Sequence, residues 1–290
     1  MKKKLRIFLW AWTCVGAFTA CSESEEINEP GLSPMVDVAT PTRTLPSNDK
    51  VGTDWTLVFS DEFNDGKIDF NKWTVNHSTT SRTPRPLLGI KEWYWKQDQV
   101  LESDDHLVLK VRKVGSDVMY CSSVYSYKKY AFKYGYIEAR MKIADIKKAT
   151  HTAFWLQNTN VNAVDGTGND GAEVDIFESA YVADKAASTI HIDGYGKDHQ
   201  QNHIEYESVN LHDDYHIWGL LWDENSLKVY YDGVLKAEFD GKWIPKVEEY
   251  IQLSTGATFS NEGNFIDQPS DSWLSEAYVD YVRVWKLGSR

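Results

Sequence analysis

The sequence predicts an all-β fold, an antiparallel β-sandwich of jelly-roll type, for residues 51–290. Turn residues separate short runs in which apolar and polar side chains alternate, as in strands with one buried face. No long amphipathic helix interrupts this pattern, so two packed sheets are the simplest architecture. Asp232-Gly233 predicts a tight hairpin between two of the runs. The clearest runs are residues 56–59, 107–111, 136–142, 189–192, 227–231 and 278–284.

The bulk composition excludes some functions and favours others. The chain has 290 residues and a formal net charge of −12, and an acidic surface repels nucleic acid and anionic membranes. Its 12 Trp and 16 Tyr either fill the core or line a cleft of flat rings that stack on sugars. No disulfide is predicted, because Cys121 has no partner once Cys14 is assigned to a removed leader and Cys21 to lipidation.

The first fifty residues are typical of a targeting segment and a tether. Residues 1–20 combine a basic start with a short apolar stretch, which predicts a signal peptide. The segment ends in a lipobox-like sequence, so Cys21 is the expected lipidation site, and ordinary cleavage after Ala20 is the alternative. Residues 21–50 begin with an acidic run and then become rich in Pro, Ser, Thr and Asn, which predicts a flexible linker. We expect an exported outer-membrane lipoprotein on the cell surface, monomeric and attached to the membrane only through its lipid.

The most informative stretch is residues 171–179, where Glu173, Asp175 and Glu178 alternate with apolar residues in a strand-like segment. Charges are depleted from strands, and an exposed edge strand is one explanation for three of them. The apolar residues between the carboxylates argue against an edge, since they would pack on a core. Hydrolysis of a glycosidic bond uses a pair of carboxyl groups. One carboxylic acid protonates the leaving oxygen, and one carboxylate lies on the other side of the anomeric carbon.

The spacing of the three carboxylates makes a geometric prediction. Side chains alternate along a strand, so Glu173 and Asp175 share a face while Glu178, five positions on, would face the core. A one-residue β-bulge at Ile176 or Phe177 restores the parity and turns Glu178 back towards the other two. The Glu173 and Glu178 carboxyls are then expected about 5–5.5 Å apart, the spacing of retaining enzymes. The apolar residues expected behind them are Val174 and Ile176.

The acidic stretch resembles the E-x-D-x-x-E signature of glycoside hydrolase family 16. The resemblance covers about residues 55–286 and implies a concanavalin-like jelly roll with a concave substrate cleft and a retaining double displacement without a cofactor. It implies that Glu173 is the nucleophile, Glu178 the acid/base and Asp175 the carboxylate between them. Further segments that resemble the family are, in order, residues 59–64, 133–140, 153–156, 190–191 and 279–284.

Several aromatic residues are candidate substrate-binding groups. The resemblance implies that His191 lies near the reacting sugar and that Trp155 lines the cleft, and core packing is the alternative for both. Trp93 and Trp95 are two residues apart, share a face in an extended segment and favour a sugar-stacking platform. Trp222 is a further candidate.

A structural Ca²⁺ is a weaker implication of the resemblance. Glu62 and Asp280 match oxygen donors near the first and last strands, and Ca²⁺ prefers such ligands. The alternative is that both carboxylates face solvent or pair with Lys or Arg.

The expected function is endo-acting hydrolysis of a β-linked polysaccharide. The relatives with this signature include β-1,3-glucanases, agarases, porphyranases and endo-β-galactosidases, so a β-glucan and a β-galactan both stay open. Residues 89–94 depart from the pattern typical of the β-1,3-glucanases, which argues against laminarin. Two other functions stay open, a non-catalytic carbohydrate-binding lipoprotein and a transglycosylase that uses the same covalent intermediate.

Overall fold

The structure, a computed structural model, describes residues 35–287 apart from 42, 146–148, 180–183, 259–264, 266 and 271–272. These residues form strands and single turns of 3-10 helix, with no α-helix among them. The strands are β1 Trp55–Asp61, β2 Thr74–Val75, β3 Glu92–Trp95, β4 Val100–Ser103, β5 His106–Val114, β6 Val118–Cys121, β7 Ser123–Tyr125, β8 Gly135–Lys142, β9 Thr150–Gln157, β10 Glu173–Ser179, β11 Lys185–Ile192, β12 Gln200–Glu207, β13 His216–Trp222, β14 Ser226–Tyr231, β15 Val234–Asp240, β16 Tyr250–Ala257 and β17 Leu274–Leu287.

The strands form two sheets, and the predicted jelly-roll sandwich is confirmed. One sheet has the order β15-β14-β13-β8-β17-β5-β6-β3, with β1 paired to β17 and β4 to β5. The other has the order β12-β11-β10-β9-β16-β7-β2. Pairing is antiparallel except between β3 and β6. Each of the six predicted runs lies in a strand, namely β1, β5, β8, β11, β14 and β17.

The hairpin between β14 and β15 forms where the sequence predicts it. Tyr231 pairs with Val234, and the two residues between them, Asp232 and Gly233, have φ angles of 48° and 72°. Two successive left-handed residues match the right-handed twist of the flanking strands, which explains the Asp-Gly sequence.

The main core lies between the two sheets and contains Trp218 and the candidate substrate-binding residue Trp222. Trp218 is fully buried and stacks on Phe177, with ring centroids 4.1 Å apart. Trp222 is 1% exposed and packs edge-on against Phe132 and Tyr134, each at 5.5 Å. The proposal that Trp222 binds substrate is therefore wrong, because the inner face of β13 turns its ring into the core.

Residues 35–51 cover the outer face of the ten-stranded sheet. Ser47 donates its backbone N–H and hydroxyl to the buried Glu138, at 3.1 and 2.7 Å to Oε2. The indole of Trp285 donates to the carbonyl of Thr44 at 2.7 Å. Val36 and Val51 pack against the buried cluster to which Trp285 belongs. The flexible linker was expected to extend to residue 50; instead, residues 35–41 and 43–50 pack on this sheet, where they satisfy polar groups and cover rings.

The predicted signal peptide and Cys21 lie outside the described residues. Among the residues that are described, no helix is long and apolar enough to cross a membrane.

Candidate active site

A groove of about 1010 Å³ runs along the outer face of the seven-stranded sheet. Its floor follows the alternation of the strands, since every second residue of β9 from His151 to Gln157 faces the groove. Neighbouring strands contribute in the same way. The residues from the other strands of the sheet are Glu173, Asp175 and Glu178 from β10, Thr189 and His191 from β11, Gln201 and His203 from β12, Tyr250, Gln252 and Ser254 from β16, and Tyr125 from β7.

The predicted β-bulge is present in β10. Asp175 pairs with Trp155, but the next pair along β9 is Phe177 with Phe154, so the register shifts by one residue at Ile176. The shift brings Glu178 into the groove beside the other two carboxylates. Val174, Ile176 and Phe177 are at most 1% exposed and pack into the core. The one-sided placement of the three carboxylates is thus confirmed, whereas the 5–5.5 Å carboxyl separation stays a prediction.

Both oxygens of Glu173 accept hydrogen bonds from neighbouring side chains. Gln157 donates its amide to Oε2 at 2.7 Å, and the hydroxyl of Tyr195 donates to Oε1. Burial and the charge of Glu173 raise the pKa of Tyr195, so this phenol keeps its proton and acts as the donor. Two donors fix the carboxylate in one orientation and favour its ionised form.

Burial and repulsion between the carboxylates raise the pKa values of two groups in the site. Burial, and then the charge of Asp175, raise the pKa of Glu173 to about 7. Burial and the charge of Glu178 raise the pKa of Asp175 well above its usual range. Protonation of Asp175 removes the repulsion that opposes ionisation of Glu173.

His191 lies beside the carboxylates, as the family resemblance implies. Its Nε2 is 3.3 Å from Oδ2 of Asp175, and its Nδ1 is 2.9 Å from Nε2 of His199, whose ring stacks on it. Burial lowers the pKa of His191, so the imidazole is neutral. A neutral ring in this position exchanges a hydrogen bond with Asp175 without adding charge to the site.

Glu178 has a different environment from Glu173. Its Oε1 is 3.8 Å from Nε2 of His151, and its side chain is 20% exposed to the groove. Burial lowers the pKa of His151, so the neighbouring imidazole is neutral. Glu178 therefore faces the groove beside a neutral imidazole, where a substrate oxygen can reach it.

The candidate tryptophans Trp93, Trp95 and Trp155 all line the groove, but each is at most 8% exposed. The guanidinium of Arg82 lies 3.9 Å from the ring centroid of Trp95 and 5.1 Å from that of Trp93. Arg82 therefore covers the platform expected from these two rings, and a substrate would meet a cation stacked on indole. The indole of Trp155 donates to Ser254 at 3.2 Å and forms part of the floor.

Glu62 and Asp280 do not converge on a shared cation site. Glu62 accepts two hydrogen bonds from Arg283, at 2.9 and 2.7 Å, and one from Thr40. Asp280 is paired with Arg140 at 2.6 Å. Ca²⁺ is held by several carboxylate and carbonyl oxygens, and an arginine beside each carboxylate opposes it. These two residues fit ion pairs better than the expected Ca²⁺ site.

The ion pairs predict how the protein responds to metal removal. We expect excess EDTA to leave the melting temperature unchanged, because arginines already neutralise Glu62 and Asp280. Thermal melts with EDTA, with added CaCl₂ and with neither measure this. A fall in melting temperature with EDTA that Ca²⁺ reverses would contradict the assignment.

Four residues of the site were not identified in the sequence: Tyr195, Gln157, Arg82 and His199. Gln157 follows Trp155 by two positions, so strand alternation alone was enough to find it. Tyr195 comes after a turn at Asp193 and Gly194, both with φ above 60°, which folds the chain back over the end of β11. No local sequence signal placed the other two.

Comparison with known proteins gives one family. The family model described as "Beta-porphyranase A-D, GH16 domain" matches residues 55–287. Beta-porphyranase D of Zobellia galactanivorans is 26% identical over 290 residues, which cover 85% of this chain and 64% of that protein. The keratan-sulfate endo-1,4-beta-galactosidase of Sphingobacterium multivorum is 25% identical over 282 residues, covering 92% and 64%. The chain thus spans just under two thirds of the length of these relatives.

A solved structure supports the fold. The catalytic domain of an endo-1,3-beta-glucanase (laminarinase) from Thermotoga petrophila RKU-1 superposes with a TM-score of 0.65 at 23% identity. The match covers 81% of this chain and 99% of that domain. The chain therefore shares its sandwich fold with almost the whole length of that laminarinase domain.

Proposed function

Because the chain belongs to glycoside hydrolase family 16, we propose that it is an endo-acting glycosidase that cleaves a β-galactan by retaining double displacement. Glu173 attacks the anomeric carbon while Glu178 gives its proton to the leaving glycosidic oxygen. Glu178 then takes a proton from water, and the resulting hydroxide displaces Glu173 from the sugar. The observation that carries this proposal is the bulged strand, which turns Glu173, Asp175 and Glu178 into one groove.

The hydrogen bonds of the two glutamates support the assignment of roles. A nucleophile must be ionised and held still, which is the effect of the donors from Gln157 and Tyr195 on Glu173. An acid/base must exchange protons with the leaving group and with water. Glu178 lines the groove beside a neutral histidine, where the leaving oxygen and water can reach it. Both features favour an enzyme over a non-catalytic binding module, which has no use for a buried carboxylate trio.

The choice of a galactan rests on the relatives and on one cation. The matching family model and one relative carry the name beta-porphyranase, and a second relative is named a keratan-sulfate endo-galactosidase. Arg82 projects its guanidinium into the groove of a chain with net charge −12. A planar cation with five donors suits a sulfate or carboxylate substituent of a sugar chain.

A substrate panel tests the proposal. Purified protein is incubated with agarose, porphyran, keratan sulfate, poly-N-acetyllactosamine, laminarin and mixed-linkage glucan, and product lengths are followed with time. We expect internal cleavage of at least one galactan and none of the two glucans. Adding an acceptor sugar separates hydrolysis from transglycosylation, since transfer products appear only with the latter. Cleavage of the glucans alone would overturn the substrate assignment.

Tyr195→Phe should shift the pH dependence of the reaction. The Tyr195 hydrogen bond lowers the pKa of Glu173, so its loss raises that pKa further above 4.5. Since the nucleophile must be ionised, the acid limb of kcat/KM moves to higher pH, with the largest loss of rate below pH 7. A kcat/KM profile between pH 5 and 9 measures the shift. Tyr215→Phe, a half-buried tyrosine outside the groove, is the matched control, and an unmoved acid limb in Tyr195→Phe would contradict the role.

We also propose that the chain is exported and lipid-anchored at Cys21. The support is the lipobox-like end of the leader and the acidic run that follows Cys21. Cells fed a palmitate analogue should label the wild-type protein in the membrane fraction, and Cys21→Ser should lose both the label and the membrane association. A soluble, unlabelled wild-type protein would contradict the anchor. The monomeric state stays a prediction, which sedimentation of a variant without the leader checks.

A further inference from the structure

A second cavity of about 560 Å³ adjoins the groove. It shares Tyr127 and Tyr250 with the groove lining. We call this cavity the annex and define it by three lysines, Lys128, Lys133 and Lys246, whose side chains line it. One carboxylate, Glu248, also lines it, so the annex carries a local excess of positive charge in an acidic protein.

The annex lysines lack the ion pairs that other lysines of the domain make. Within the described part of the chain, no carboxylate oxygen lies within 4.0 Å of the ammonium of Lys128, Lys133 or Lys246. Lysines elsewhere do have such partners, for instance Lys67, Lys110 and Lys228, which pair with Asp65, Glu276 and Glu238. Three exposed cations without a carboxylate partner beside a substrate groove are available to an anionic ligand.

Lys128 is also held in an unusual backbone conformation. Its φ is 62°, a left-handed value that costs a non-glycine residue free energy. In this conformation its ammonium lies 5.3 Å from the ring centroid of Tyr127, which is 37% exposed. The loop thus presents an aromatic face and a cation side by side, which suits a charged sugar.

A continuous series of contacts links the reacting centre to the annex. Gln157 donates to Glu173 at 2.7 Å and accepts from the hydroxyl of Tyr250 at 2.6 Å. The ring of Tyr250 lies 5.2 Å from that of Tyr127, centroid to centroid. A sugar chain that leaves Glu173 along this side would therefore pass over two tyrosine rings before it reaches Lys128.

We propose that the annex is a distal subsite for the glycan chain that is cleaved at Glu173. It binds an anionic substituent of that chain, either a sulfate ester or a carboxylate. The inference rests on the proposed function and deepens it, because it adds a requirement for a charged substituent at a position away from the bond that breaks. Lysine ammonium groups are mobile point charges with three donors, so they accept an anion without one fixed geometry.

The test compares two triple variants that remove the same charge. One is Lys128→Gln/Lys133→Gln/Lys246→Gln, and the control is Lys67→Gln/Lys110→Gln/Lys228→Gln, whose lysines lie outside the groove and the annex. KM and kcat are measured on long and short chains of a sulfated galactan, on the chemically desulfated chain, and on a chain with carboxylates instead of sulfates. We expect the annex variant to raise KM on the long anionic chain about 10-fold with little change in kcat, as for several exposed charge pairs lost together.

Four outcomes distinguish the possibilities. A rise in KM confined to long anionic chains and weakened by salt supports the subsite, and the response to sulfated or carboxylated chains identifies the substituent. An equal rise in the control variant, or on the short and desulfated chains, overturns it. Calorimetric titration of Glu173→Gln, with and without the annex substitutions, with the long sulfated chain measures binding without turnover. Loss of binding in a protein that cleaves no galactan would retain the subsite and reject the proposed function.

Discussion

Glu173→Gln is expected to lower kcat on the best galactan by at least about 10⁴-fold, the scale seen when an enzyme loses its nucleophile. The amide cannot form the glycosyl-enzyme ester, so the two-step route is lost altogether. Gln157 can still donate to the amide oxygen while the Tyr195 hydroxyl accepts from the new amide N–H, so KM should change much less than kcat. Initial rates of reducing-end release, together with a thermal melt that confirms folding, measure the effect.

The assignment of Glu173 has two further checks. Glu238→Gln is the matched control, because it removes one exposed carboxylate of β15 that pairs with Lys228. Glu173→Ala with added azide should form a glycosyl azide of inverted configuration, since a small anion then takes the place of the nucleophile. Near wild-type activity in Glu173→Gln would reject the double displacement.

Glu178→Gln is expected to lower kcat on the polysaccharide by about 10²–10⁴-fold, the usual contribution of a positioned general acid. The sugar alkoxide is a poor leaving group and needs the proton of Glu178. An aryl glycoside with an acidic phenol leaves without that proton, so the first step should survive in the variant. Intermediate then accumulates, because Glu178 is also needed to activate water.

The contrast between substrates separates the acid/base from the nucleophile. Burst kinetics on the aryl substrate should appear for Glu178→Gln and be absent for Glu173→Gln. Mass spectrometry of the burst-phase protein should show one sugar unit attached through Glu173. Equal loss on both substrates in Glu178→Gln would mean that this carboxylate does not protonate the leaving group.

The acidic strand shows how far sequence can predict a site. Its alternation and an odd spacing between Glu173 and Glu178 require a bulge if all three carboxylates are to share a face, and the bulge is present at Ile176. The argument needed only strand geometry and the cost of burying a charge. The same strand geometry also predicts that Gln157, two residues after Trp155, faces the groove.

Other features depended on which sheet a strand joins, and periodicity does not encode that. Trp155 lies between Phe154 and Leu156, and Trp222 follows Leu221, so the neighbours do not show which face is buried. β13 turns its tryptophan into the core, whereas β9 turns its own into the groove. Arg82 and Tyr195 reach the groove from loops, whose path depends on tertiary contacts. The polar composition of residues 35–50 predicts a tether, but Glu138 and Trp285 offer partners that a composition cannot reveal.

Glu173 and Asp175 also link folding to pH. The pKa of Glu173 rises from 4.5 in the unfolded chain to about 7 in the folded one, and that of Asp175 rises in the same direction. Between these values the native state keeps protons that the unfolded chain has released, so its stability falls as the pH increases through this window. For Glu173 the difference corresponds to a free energy on the order of 3 kcal/mol. The charges that the proposed reaction needs therefore weaken the fold most above neutral pH, and the rest of the sandwich must offset that loss.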